Sequence, residues 1–156
     1  LTGINSMFSY DLIVIPPGSP YGSARFAEIF RLIAEGVDVA QKWVLNISFA
    51  WDDEMRKLNL EYRKKDSTTD VLSFHYFEDF SACQDDEIVW ECIFSHSLIL
   101  IQAAEYGHTP TEEFEILLIH SVLHILGYDH EDDADFEAMF ALEQSIRGKM
   151  WLNITR

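Results

Sequence analysis

An α+β fold is predicted for this chain from three observations. Strand-like and helix-like stretches are mixed through the first two thirds, helices fill the last third, and one helix near residues 110–126 is apolar around nearly its whole circumference. A helix of that kind belongs inside a core. The expected architecture is therefore a small mixed sheet packed with helices, including a buried central helix. A chain of 156 residues, 48% of them hydrophobic, suits one domain with one core and is too short for two. That domain is placed at residues 7–156, and Leu1 to Ser6, which precede the first methionine, are set aside as an expression remnant.

Ser9 to Ile15 mixes β-branched and aromatic residues and stops at Pro16-Pro17-Gly18, which predicts a short strand and then a loop. Ser23 is placed as the cap of a helix from Ala24 to about Ala40, where Phe26, Ile29, Phe30, Ile33 and Val37 recur at helical spacing. Val44 to Ala50 alternates as a strand does. Asp52 is placed as the cap of the next helix, with Asp53 and Glu54 at the positive end of its dipole and Met55, Leu58 and Tyr62 as its apolar stripe. Val71 to Phe77 and Ile88 to Phe94 read as strands separated by an acidic loop, and Ser95 to Tyr106 reads as a helix. The following helix has the best-defined start: Thr109 as N-cap, Pro110 at the first helical position and Glu112 at the third, a capping box. Gly127 is expected to end it, and a last amphipathic helix runs from about Asp133 to Ile146.

No apolar run approaches the roughly 20 residues that span a bilayer, and no basic segment with an apolar core and cleavage site opens the chain. A soluble cytoplasmic protein is expected, with Cys83 and Cys92 reduced and no membrane partner. The formal net charge of −16 argues against phosphate-backbone binding if it is spread evenly. It is not spread evenly. Five of the eleven basic residues, Arg56, Lys57, Arg63, Lys64 and Lys65, fall in one short segment, and the acidic excess lies elsewhere.

Within the apolar helix, His120 and His124 are four residues apart and point the same way. Gly127 can turn the chain back so that His130 reaches the same point as a third ligand. Three histidine nitrogens leave a tetrahedral zinc with one open position for water, the pattern of catalytic rather than structural sites. Buried imidazoles with no partner would also cost stability. Zinc is the expected ion, and nickel would accept the same ligands. Metal-assisted hydrolysis is the chemistry these residues point to, while His75, His96 and His108 lack the spacing. Metzincin proteases share the pattern His-x-x-x-His-x-x-Gly-x-x-His. Their first histidine, however, is followed by a glutamate general base, and here that residue is Ser121, which cannot take a proton at neutral pH.

The string His120-Ser121-Val122-Leu123-His124-Ile125-Leu126-Gly127-Tyr128-Asp129-His130 closely resembles the signature of the YbeY family. Asn59 to Asp66, followed by Thr69 to Phe74, resembles a second block of that family in the expected order. The resemblance implies a small α+β zinc protein held by His120, His124 and His130. It further implies an endoribonuclease that acts on single-strand-type sites in maturation of small-subunit (16S-type) ribosomal RNA and in ribosome quality control, with the small subunit and its assembly factors as partners and no DNA. Arg63 matches a functionally important arginine of the family, and a guanidinium can grip a phosphate and stabilise charge developing on it. Arg63 and His120 are thus the expected catalytic residues.

The chain departs from the family pattern at Thr68 and His75, where proline is usual, at Ser121, where glycine is usual, and at Asp86-Glu87, where Gly-Asp is usual. Three alternatives stay open: a metzincin-like protease, a zinc hydrolase of small molecules, which would suit the acidic charge, and a noncatalytic ribosome-assembly factor with structural zinc. Strongly salt-dependent RNA affinity that is lost on replacing Arg63, Lys64 and Lys65 separates the RNA reading from the small-molecule one.

Overall fold

The structure, a computed structural model, describes residues 8–36, 43–75, 88–126 and 133–152. Strand β1 (Phe8–Val14) leads through a single 3-10 turn at Pro20–Ser23 into helix α1 (Phe26–Gly36) and back to β2 (Trp43–Ala50). Helix α2 (Asp52–Arg63) connects to the pair β3 (Val71–His75) and β4 (Ile88–Ser95), and helices α3 (His96–Tyr106), α4 (Pro110–Ile125) and α5 (Asp133–Lys149) follow. The strands form one sheet in the order β1-β2-β4-β3. β1, β2 and β4 run parallel and β3 antiparallel to β4, with Val71 opposite Phe94 and His75 opposite Trp90. The expected α+β architecture with a mixed sheet is what the chain adopts.

Strand alternation divides the core between the two faces of the sheet. Leu45, Ile47 and Phe49 of β2 and Trp90, Cys92 and Phe94 of β4 face the main cluster, which α1, α3, α4 and α5 complete. Ala50, Leu72, Phe74 and Ile93 face the opposite side, where Met55 and Leu58 of α2 cover them. Phe114 lies at the centre of the main cluster, with its ring 5.1–5.3 Å from those of Phe94, Phe49 and Tyr21. Cys92 is a free, buried thiol whose pKa burial pushes up to about 12, so it is inert. Cys83, Gly127 and Asp86-Glu87 lie outside the described residues.

Helix α4 touches α1, α3, α5, the 3-10 turn and β3, which makes it the hub of the fold. The Thr109–Glu112 capping box forms as the sequence indicates. Two carboxylates enter the interior with this helix, and each has a partner. Glu115 accepts from Arg25 at 2.9 Å and Glu113 meets His108. Burial raises the Glu115 pKa while Arg25 opposes the shift. The last described helical residue of α4 is Ile125, with Leu126 as its C-cap.

Two expected caps are corrected. Ser23 belongs to the 3-10 turn, where its hydroxyl donates to the Pro20 carbonyl at 2.6 Å, because Pro20 at the head of that turn starts local structure three residues early. Trp51, not Asp52, is the N-cap of α2. Its backbone carbonyl accepts from Met55 N–H at 2.8 Å, and Asp52, Asp53 and Glu54 all sit in the first turn, where carboxylates favour the dipole.

Candidate active-site cleft

Helix α4 is not buried all round. Its positions from Glu113 to Ile119, and Ser121, Val122, Leu123 and Ile125, are buried, whereas His120 is partly exposed and His124 exposed. The two histidines therefore occupy the one open stripe of the helix. The stability argument from buried imidazoles does not apply, but four-residue spacing does put both rings into one cleft.

That cleft has a volume of about 210 Å³, and Arg63, Asp70, Ser73, His120, Ser121 and His124 line it. Arg63 arrives from the end of α2, far from the histidines in sequence. Its placement rests on how the chain turns from α2 into β3. Lys64 ends α2 in the left-handed region, φ 60° and ψ 30°, with its backbone N–H on the Leu60 carbonyl at 3.1 Å. For a residue with a Cβ that conformation costs about 1–2 kcal/mol. Four hydrogen bonds hold the turn against the cost: Lys65 N–H on the Asn59 carbonyl at 3.3 Å, the Asn59 side-chain amide on the Ser67 carbonyl at 2.7 Å, and Arg56 on both Asp66 oxygens at 2.7 and 3.0 Å. Arg56 accordingly holds the Asp66 carboxyl below its ordinary range. The next anchor is Ser95 N–H on the Asp70 carbonyl at 2.8 Å, which fixes the start of β3 beside the end of β4.

Across the helix pair, Glu143 of α5 places Oε2 3.3 Å from His120 Nδ1, and its Oε1 lies 3.7 Å from Arg147 Nη1. A carboxylate on Nδ1 fixes the tautomer and orientation of the ring and leaves Nε2 for the cleft. Sequence reading missed Glu143, yet it left a signal: a carboxylate on the apolar stripe of Met139, Ile146 and Met150. Asp70 and Ser73 were also unassigned, although both fall in the Thr69–Phe74 block. Ser121 is buried, and its hydroxyl lacks a hydrogen-bond partner among the described residues.

Of the expected metal ligands, His120 and His124 share the cleft and His130 lies outside the described residues. Among the described residues no three His, Cys, Asp or Glu side chains are gathered as a metal-binding group. Two expected bystanders prove structural. His96 Nδ1 meets the Tyr21 hydroxyl at 2.7 Å, and burial lowers its pKa, while His108 closes on Glu113. No described helix is long and apolar enough to cross a membrane.

A mixed four-stranded sheet with a hub helix that turns two histidines toward a distant arginine defines a small α+β protein with a histidine–arginine cleft. The family model described as Endoribonuclease YbeY matches residues 22–150, and the chain belongs to that family. Curated proteins named Endoribonuclease YbeY are similar along much of the chain. That of Roseiflexus castenholzii is 35% identical over 92% of this chain and 93% of its own length. The protein of Macrococcus caseolyticus is 36% identical over 76% and 77%, and that of Finegoldia magna 41% identical over 65% of each. The solution structure of TM1509 from Thermotoga maritima shares the fold, with a TM-score of 0.57, 23% identity and 92% of each chain covered.

Proposed function

We propose that this chain is a zinc-dependent endoribonuclease that cuts unpaired regions of small-subunit ribosomal RNA during maturation and quality control. The observation that carries the proposal is the convergence of Arg63, His120 and His124 on one cleft from separate elements. Family membership supports ribonuclease chemistry over the small-molecule alternative. The residue after His120 is the buried Ser121, which lacks the carboxylate a zinc protease needs there.

The donor set fits a metal ion as far as the described residues go. His120 and His124 project from successive turns into the same space, and the contact of His120 Nδ1 with Glu143 is the arrangement that a metal-ligating histidine requires. His130 completes the set in the proposal. A bound zinc supplies Lewis-acid polarisation at the phosphoryl group.

The chain's own groups do the rest. Arg63 pairs with the scissile phosphate and stabilises the charge that builds up on it during displacement. Asp70 is the carboxylate-bearing residue among those described that line the cleft, so it is placed to accept the proton of the attacking hydroxyl as its oxygen bonds to phosphorus. The P–O bond to the departing strand breaks in the same displacement, and that strand's oxygen takes a proton from solvent. Ser73 borders the same space and can hydrogen-bond a phosphate oxygen.

The test is cleavage of a structured ribosomal RNA fragment by purified protein of known metal content, beside His124→Ala and Arg63→Ala. The wild type should carry about one zinc and cut, and both variants should fold yet fail. Arg63→Ala should retain its zinc. Equal cleavage by all three would trace the activity to a contaminant, and a folded, zinc-loaded wild type that does not cut would refute the proposal.

A further inference from the structure

His120 also borders a second cleft of about 240 Å³, on the side facing α5, where Phe136, Phe140, Glu143 and Gln144 line it. Phe136 and Phe140 are 48% and 52% exposed, the two exposed phenylalanines among the described residues. They are one helical turn apart, and their rings lie nearly parallel, 13° between planes and 6.1 Å between centroids. The rest of α5 turns its large apolar side chains inward, Met139 and Ile146 being buried and Leu142 packed partly buried against the core.

Resting on the endoribonuclease reading, we propose that this face of α5 is a stacking subsite for an unpaired RNA base next to the phosphate gripped by Arg63. Its position supports that occupant. The two clefts lie side by side with His120 as their shared wall, so a strand with its scissile phosphate in one passes beside the other. Size supports it as well, since the cleft falls below the roughly 300–1,000 Å³ of drug-sized ligand sites and suits one planar base. Its chemistry is equally suited: parallel aromatic rings offer a face to any base, and the Gln144 amide offers a donor and an acceptor to a base edge. Arg147 and Glu143 also line this cleft, but they face each other at 3.7 Å and so offset one another's charge toward a phosphate. On a chain of net charge −16, stacking is an attraction that the acidic surface does not oppose. A base held there must be unpaired, which confines the substrate to single-stranded or looped RNA.

The test is the affinity of the zinc-loaded protein for a short single-stranded RNA, read by fluorescence anisotropy over a range of salt. A strand of the same length with an abasic site at the cleavage position serves as the control. The double variant Phe136→Ala/Phe140→Ala should bind the normal strand about 5- to 150-fold more weakly, the span of base–aromatic stacking, with the slope against salt unchanged. It should also lose the wild type's preference for the normal strand over the abasic one. Phe140→Trp, which keeps an aromatic face, should retain affinity, and thermal melting checks that every variant is folded. Unchanged affinity in the folded double variant overturns the subsite, as does a wild type indifferent to the abasic site. In either case cleavage that still depends on Arg63 leaves the endoribonuclease reading standing. A wild type that neither binds nor cuts RNA removes both.

Discussion

Replacing Glu143 separates two roles that one carboxylate performs. Toward His120, 3.3 Å away, it sets which ring nitrogen carries the proton; toward Arg147, 3.7 Å away, it balances a guanidinium whose side chain is only 3% exposed. Glu143→Gln keeps the size and an accepting carbonyl but removes the charge, and Glu143→Ala removes both. Losing such a partner of a metal-ligating histidine weakens metal affinity about 10- to 100-fold, or about 1.4–2.7 kcal/mol. Breaking a buried ion pair costs about 3–5 kcal/mol when the pair is tight. At 3.7 Å this one is longer than the 2.7–2.9 Å of a strong charge-assisted bond, so a loss near or below the lower bound, about 3 kcal/mol, is expected for the alanine variant. Zinc titration against a chelating dye measures the first effect, and urea unfolding of the metal-free protein measures the second. Glutamine should weaken zinc binding about tenfold with a modest loss of stability, and alanine should show the larger loss in both. Zinc affinity in both variants within about twofold of wild type would refute the orienting role and reduce the His120–Glu143 contact to packing.

Two further outcomes test the frame around the cleft. Phe114→Ala should lower the free energy of unfolding by about 3–5 kcal/mol in urea titrations, because a fully buried ring touching Tyr21, Phe49 and Phe94 leaves a cavity those rings cannot fill; a loss under about 1 kcal/mol would show the centre to be loosely packed. Burial holds the His96 pKa below its ordinary 6.5, so the unfolded chain takes up the proton first. The contribution of the neutral ring is complete above pH 6.5 and declines as pH falls from there through the lowered folded value. His96→Gln should flatten the fall of the urea midpoint between about pH 7 and 5, and an unchanged slope would assign it to other groups.

The features legible in the sequence are those that local chemistry decides. Thr109, Pro110 and Glu112 specify their capping box within four residues, and that box forms. β1, β2 and β4 fall within a residue of their expected bounds because alternation and β-branched content agree there. Competition between neighbours was not legible. Pro20 captured Ser23 into its own turn, and Trp51 became a cap by backbone geometry although its side chain cannot accept a hydrogen bond. The cleft itself was half legible. Arg63 and the histidines could be named from their motifs, but that they meet depends on β3 returning antiparallel beside β4, a strand order no local pattern encodes. Glu143 stood out only as a carboxylate on an apolar stripe, and its partner could not be named because it lies on another helix.

The charge of the chain bears on how RNA is held. The basic segment looked like a phosphate-tracking stripe, but its members are used differently. Arg56 is tied to Asp66 by two hydrogen bonds, and the Lys64 ammonium donates to the Glu61 carbonyl at 2.9 Å. Arg63 is the member of that cluster that lines the cleft. Within the segment Arg56 and Lys64 therefore brace the turn that sets one guanidinium, while Lys57 and Lys65 stand exposed beside it. With Debye screening near 8 Å at physiological salt, distant acidic groups repel an approaching strand only weakly, and contacts within the cleft decide whether it stays. A few positioned contacts, one ionic at Arg63 and others from ring faces, would give a shallower salt dependence than the clustered basic residues suggest from sequence, so loss of RNA affinity on replacing Arg63, rather than a steep salt slope, separates the RNA reading from the small-molecule one. In such a protein, selectivity for exposed RNA would follow from the cleft rather than from the acidic surface, because paired helices have no free base face to offer it.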